Sequence, residues 1–496
     1  MKNFTRIFTL FLLISFISPL FGQKYYDDQW KKVAENYKTG KYKSNLPIIL
    51  EIQKQAMKDD NANQLIRSLK AEFSIVNQTR DDGSNDSSSQ FFKKLSGFGD
   101  QLKGEQKLVY EVLLGQFFMD YYQNESWEIN QRTNINNQDV SQIETWSKLD
   151  FKNYLTQHFE NLNKKKADLQ KIQVSKYKAI FEGTEDLEYF PTLFDWNAVN
   201  ETEFLKNSEL FTPNELKANH DKILNIYDEL IARNSGNSKL YFQHQKLNYN
   251  CEFTNCKDKL AQLQDLVKSN TEGDYKVLLI ADIMDELTSE QKYQEALSWA
   301  ETAKKQYPKS KFLDNIQNRQ NQIINPSLVI KYETHTQSNL PIHLVAEAKN
   351  VQKFSLNIYE VKNDFNNFMK YVSDSYNKNN FAAVKKSLVR KETFELQDLK
   401  DYATHKTSLE IKPLPSGIYM VEYVVENAIQ KNFYFISTSS RIIYAKKDER
   451  KSLEDQLKLV NRENGKSISN EDLKILEYVR GKTGTIFAEK TDTSAN

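Results

Sequence analysis

The sequence predicts a multidomain chain, α then β: a helical-repeat region, then an antiparallel β-sandwich and an incomplete β segment. Three observations predict it. Glycine is scarce, 14 in 496 residues, and over residues 23–326 apolar positions recur at intervals of three and four, the period of an amphipathic helix. Near residue 327 the period changes to two, the alternation of half-buried strands. Beyond residue 457 an Asn464-Gly465 turn signal separates two apolar runs, and about 40 residues is close to the length below which a chain needs staples to fold.

A chain of 496 residues exceeds a single core. Its 39% hydrophobic and 27% charged residues are those of a soluble globular protein, with a rich aromatic share of 12%. Lys and Arg number 68 against 67 Asp and Glu, a net charge of +1. There is no basic stripe, which argues against nucleic acid as a partner.

Residues 1–22 read as a secretory signal peptide. Lys2 and Arg6 precede an apolar run from Ile7 to Ile17, and Gly22 offers a small residue before Gln23. The run is shorter than the roughly 20 residues that a transmembrane helix needs. No cysteine follows it to take a lipid, so the expected location is periplasmic, cell-surface or extracellular. Association with the cell envelope stays open. The two cysteines, Cys251 and Cys256 in "NCEFTNC", form a candidate disulfide in an oxidising compartment. Two buried free thiols, or a metal pair with His244 nearby, are the alternatives.

Within 23–326, "TPNELKANHDKILNIYDELIARN" carries a complete helix start: Thr212 as N-cap, Pro213 in the first turn and Glu215 to close a capping box. Ile223, Ile226, Tyr227 and Leu230 share its apolar face. In "SEQKYQEALSWAETAKKQYPKS", Ser289 is expected to cap a helix whose face holds Tyr293, Ala296, Leu297, Ala300 and Tyr307, with Ala303 beside them, and Pro308 ends it. Helices joined in pairs by short polar turns give a tetratricopeptide-like array without a clean 34-residue consensus. The polar stretch 81–90 reads as a loop.

Six strands are expected within 327–440: "SLVIKYET", "PIHLVAEAK", "KFSLNIYEVK", "KTSLEIKPL", "GIYMVEYVVEN" and "QKNFYFIST". An insertion at 363–404 is expected to lay a short helix across one open end. Residues 441–456 read as a linker, and 457–496 as the opening hairpin of a further β module.

No catalytic signature is present. The histidines, 158, 220, 244, 335, 343 and 405, are scattered, and there is no HExxH, GxSxG, P-loop or dinucleotide glycine pattern. "FFMDYY", 117–122, has helical spacing and reads as core. The expectation is a non-enzymatic protein without cofactor or metal, working through protein partners. An exported hydrolase would need a nucleophile paired with a base, and the sequence shows no such signature.

The β region resembles the first macroglobulin-like domain of bacterial alpha-2-macroglobulin family proteins, in the form common among Bacteroidota. The resemblance rests on Asp401-Tyr402, His405 and Leu414-Pro415-Ser416-Gly417-Ile418-Tyr419. The stretch from Trp30 to Glu72, "YYQNESWEINQRTNI" and "FPTLFDWNAV" resemble that family's helical region. Arg462-Glu463-Asn464-Gly465-Lys466 resembles the start of its second macroglobulin domain, with Ser467 where proline is usual. The resemblance implies an immunoglobulin-like macroglobulin sandwich at 327–440 and an incomplete second one at 457–496. It further implies the N-terminal part of an endopeptidase inhibitor, whose partners are proteases or further C-terminal macroglobulin domains. Neither cysteine fits the Cys-Gly-Glu-Gln thioester signature of that family, since Glu-Phe-Thr follows Cys251 and Lys-Asp-Lys follows Cys256. Such a chain is not expected to trap a protease alone. The alternative is an exported helical-repeat and Ig-like binding module for surface assembly or glycan uptake.

Overall fold

The computed structural model describes residues 21–79, 86–136, 139–181, 186–269, 273–374, 378–425, 428–444, 457–469, 472–481 and 484–493. Most of the expected signal peptide lies outside them. The chain packs as two compact units, Met1–Leu279 and Ile280–Asn496. The change from helix to strand falls later, between the helix Leu313–Ile324 and the strand that opens at Ser327.

The first unit is helical. Thr212 caps Pro213–Arg233 in the expected box: its hydroxyl accepts from the Glu215 N–H while the Glu215 carboxylate accepts from the Thr212 N–H. Ser147 with Asp150 and Thr192 with Asp195 repeat the device. Each box satisfies helix N–H groups that have no intrahelical acceptor. The core is aromatic. Phe73 meets Phe117 with ring centroids 4.9 Å apart, Phe92 meets Phe118 at 4.7 Å, and Phe118 lies over Trp146 at 5.6 Å. "FFMDYY" is therefore core, with Phe117, Phe118, Tyr121 and Tyr122 all buried. Of the expected loop at 81–90, residues 81–85 lie outside the described residues, and 86–90 open a helix, Asp86–Gly99.

In the second unit Ser289 does not cap Tyr293–Gln306. It ends the preceding helix, Lys276–Ser289, where its hydroxyl bonds back to the Glu286 carbonyl. Serine offers the backbone this local alternative to helix continuation. Among the described residues eight strands follow up to residue 438 rather than six: β1 Ser327–Tyr332, β2 His335–Gln337, β3 Ile342–Lys349, β4 Lys353–Val361, β5 Lys386–Glu395, β6 His405–Ile411, β7 Gly417–Val425 and β8 Ala428–Thr438. A three-stranded sheet, β1-β3-β6, faces a five-stranded sheet, β2-β8-β7-β4-β5. The pairing is not wholly antiparallel, since β2 runs parallel to β8. Leu344 and Ala346 from β3, Leu356 and Ile358 from β4, Val421 from β7 and Phe435 from β8 are fully buried in one shared core, which makes the pair of sheets a sandwich.

The insertion does not lie across an open end. Its helices, Phe365–Ser373 and Lys378–Ala383, cover the outer face of the five-stranded sheet, where Phe368, Tyr371, Phe381 and Val384 form a second core with Met420. The insertion also supplies β5. After the sandwich come β9 Ser440–Tyr444 and β10 Leu457–Asn461, which pair with each other, then β11 Asp472–Gly481 and β12 Gly484–Thr493, which form a hairpin. Two expectations change here. Part of the linker at 441–456 is strand, and the run before Asn464-Gly465 pairs backwards with β9 rather than forwards with β11.

The helix that precedes β1, Leu313–Ile324, is fastened to the sandwich. Asn350, with φ +55° in the β3–β4 turn, donates from Nδ2 to the carbonyls of Ile323 and Ile324, both at 2.9 Å. Lys349 donates to the Gln322 carbonyl. These carbonyls lie at the end of Leu313–Ile324, where helix acceptors are left over. Asn350→Gly keeps the left-handed backbone accessible and removes only the side-chain bonds. The variant should lose about 1–2 kcal/mol, read as faster amide exchange in β3 and β4; exchange matching the parent would show that the turn does not hold the helix.

Candidate interaction site on the sandwich

The motifs singled out in the sequence frame β6 at its two ends. At one end the loop 396–404 leaves β5 and enters β6. Lys400 and Tyr402 have φ +52° and +60°, a conformation few non-glycine residues adopt. Carboxylates hold it: Asp398 accepts from the Lys400 N–H at 3.0 Å and from Gln352 Nε2 at 2.7 Å, and Asp401 accepts from the Ala403 N–H at 3.0 Å. His405 Nε2 lies 2.9 Å from Asp401 Oδ1. The histidine, with help from the Ala403 N–H, keeps the Asp401 carboxyl below the usual range. The loop borders a shallow cleft lined by Asn350, Val351, Leu396, Asp398, Asp401 and His405. Both side chains of the pair reach solvent, which screens them, so the contact contributes little stability.

At the other end the chain crosses from β6 in one sheet to β7 in the other through Leu414-Pro415-Ser416-Gly417. Tyr419 Oη donates to the Pro415 carbonyl at 3.1 Å, and its ring stacks on Phe435 at 5.4 Å. A tyrosine near the start of a strand that bonds back over such a crossing is a tyrosine corner. Arg390 of β5 donates to the carbonyls of Lys412 and Pro413 at 2.8 and 3.1 Å. Glu392 accepts from the Lys412 N–H at 3.2 Å. The Leu414 carbonyl accepts from the Asn339 N–H and from Ser437 Oγ. Sequence reasoning missed Arg390 and Glu392, because they fall in the insertion and nothing in their spacing marks them.

The remaining polar candidates have structural surroundings. His244 Nδ1 lies 3.0 Å from Tyr275 Oη and its Nε2 lies 3.0 Å from Asn248 Nδ2. His220 stacks on Phe253, with ring centroids 4.0 Å apart. His343 is exposed on β3, opposite in face to Ile342 and Leu344. The sulfurs of Cys251 and Cys256 are within bonding distance and their Cα atoms are 4.6 Å apart, a disulfide across the end of Gly236–Thr254. Among the described residues no group of three or more His, Cys, Asp or Glu could hold a metal ion. No helix among them is long and apolar enough to cross a membrane.

No family model and no curated protein matches the chain. Among solved structures it is similar to native alpha-2-macroglobulin from Escherichia coli, in a structure spanning domains MG0-NIE-MG1. The identity is 15% and the TM-score 0.25, and the match covers 34% of this chain and 55% of that one. This chain thus spans about half the length of that structure, and a likeness at that score is too slight to assign fold or function.

His158 carries the clearest pH dependence. The residue is half-buried with its Nε2 enclosed, its ring lies against Tyr154 and Phe159, and a Cβ added to Gly115 would lie only 2.8 Å from that Nε2, so glycine makes the room it occupies. Burial pushes its pKa down to about 4, against an opposing hydrogen bond with the Glu111 main chain. The fold therefore favours the neutral ring. That contribution is full above an unfolded value of about 6.5, drains away as the pH falls, and is gone below about 4, a total of about 3 kcal/mol. Denaturant unfolding of the parent and His158→Gln at pH 7 and pH 4 should show a smaller acid loss in the variant by that order. Equal losses would remove His158 from the account.

Proposed function

We propose that this chain is the non-enzymatic N-terminal scaffold of an exported, alpha-2-macroglobulin-like endopeptidase inhibitor. The observation that carries the reading is the order of its motifs: a helical region, then Asp401-Tyr402 with His405, then Leu414 to Tyr419, then Arg462 to Lys466. The strand order β1-β3-β6 against β2-β8-β7-β4-β5, with a tyrosine corner, supports an immunoglobulin-like sandwich of the macroglobulin kind. Helical hairpins such as Asn45–Lys58 with Ala62–Thr79 support a tetratricopeptide-like reading of the first region. The scaffold's partners are proteases or further macroglobulin domains, its site is the periplasm or cell surface, and its disulfide is closed after export. It works without a cofactor and does not trap proteases alone.

Two readouts on exported protein test this reading. Intact mass after alkylation without reductant should correspond to a chain starting at Gln23 with no alkyl group added. Purified chain should leave endopeptidase cleavage of protein and peptide substrates unchanged. The product of a reading frame that continues into more β modules should slow protein cleavage while sparing small peptides. Turnover by the purified chain itself, or saturable binding to a glycan array, would replace this reading with the hydrolase or the binding module.

A further inference from the structure

Arg462 stands out because it bonds away from its own hairpin. It follows β10 directly and enters the turn that Asn461 builds. There the Asn461 carboxamide oxygen accepts from the Glu463 and Asn464 N–H groups, and Gly465 supplies a φ of +69°. The Arg462 backbone N–H donates to the Ser439 carbonyl at 2.9 Å, at the point where β8 passes into β9. Its guanidinium turns the other way, and Nη2 donates to the His335 carbonyl of β2 at 3.1 Å.

That acceptor is an unusual one. β2 is the edge of the five-stranded sheet. Its bonds to β8 use the Thr334 carbonyl, which accepts from the Ile436 N–H, and the Ser338 N–H, which donates to the Thr438 carbonyl. Main-chain groups of successive strand residues point to alternate sides, so residues 334, 336 and 338 face β8 and residues 335 and 337 face away. His335 therefore faces off the edge, with its carbonyl open to the next segment of chain. An exposed edge carbonyl is an invitation to strand pairing, and a charged donor is a strong partner for it.

We propose that Arg462 is the positioning residue that locks the β9–β10 ribbon to the edge of the sandwich, so that the two move as one body. The chain's own passage from β8 into β9 at Ser439, which the Arg462 N–H extends the ribbon ladder to meet, sets one point and the guanidinium bond to His335 sets a second, and two points fix an angle where one leaves a swivel. The same side chain closes the β2 edge to other strands. This role is independent of the inhibitor reading, since it rests on the sandwich and the ribbon alone.

The test uses the full chain from Gln23 with spin labels on two introduced cysteines, His343→Cys on β3 and Lys466→Cys in the ribbon turn, compared with and without Arg462→Ala. The parent should give a narrow distance distribution and the alanine variant a broad one. Amide exchange over 459–469 should quicken about tenfold, the scale on which one charge-assisted bond shifts a local opening, while β3 and β4 keep their rates. Arg462→Lys keeps the charge but not the fork, and should fall between. An unchanged distance distribution in Arg462→Ala, or exchange that quickens equally in β3 and β4, would overturn the proposal. The first outcome would show that the ribbon is held without Arg462, the second that the residue serves only global stability.

Discussion

The bond from Tyr419 Oη to the Pro415 carbonyl fastens the place where the chain leaves one sheet and enters the other. Everything in the sandwich is arranged around the strand it starts. β7 is buried on both faces: Tyr419, Val421 and Tyr423 enter the core between the sheets, while Met420 lies beneath the helices of the insertion. A strand covered on both sides cannot slip by one residue without exchanging its faces. Tyr423 adds a second tie between sheets by donating to the Leu328 carbonyl of β1 at 3.1 Å. Arg390 and Glu392 brace the same crossing from β5, so an edge strand of one sheet is hooked to the end of the other.

The helical unit meets a different constraint. With little glycine and many aromatic side chains, it fills its interior with rings packed edge to face or stacked, from Phe73 through Phe118 and Trp146 to Phe151. Such rings bury large areas with few rotatable bonds, which limits the entropy lost on ordering. One buried polar cluster is paired in kind. Gln53 donates to Glu72, and Lys94 closes the same buried cluster from the next helix. A buried carboxylate is tolerated only in such company.

What the sequence disclosed follows from which forces are local. The capping box at Thr212 and the alternation of Leu344, Ala346 and Leu356, Ile358 were legible, because propensity and period act over a few residues. β5 was not, since its sequence "KSLVRKETFE" is largely exposed and lies at an edge, where burial prints no pattern. β2 was too short to show a period. The apolar residues of the insertion carry no direction in the sequence, so a cap on an open end and a cover on a sheet face look alike there. The structure places them on the outward side of β7 and β8, where Met420 and Tyr434 wait for a cover. The turn at Asn464-Gly465 was legible as a turn, but its partner was set by β9, a pairing that no local signal announces. Of the candidate site, Asp401, His405 and Tyr419 were visible as motif residues. Asn350, Arg390 and Arg462 act through long-range side-chain bonds to backbone carbonyls, which leave no periodic trace.

The account of the β region stands or falls on the crossing at Pro415. Tyr419→Phe keeps the ring against Phe435 and removes only the hydroxyl. Amide exchange across β6, β7 and β8 measures the result. The account predicts that these strands open together more often, by the equivalent of about 1–2 kcal/mol, while the helices of the first unit keep their rates. Exchange in β6, β7 and β8 identical to the parent would contradict it, and would mean that the packing of β7 holds the two sheets without the corner.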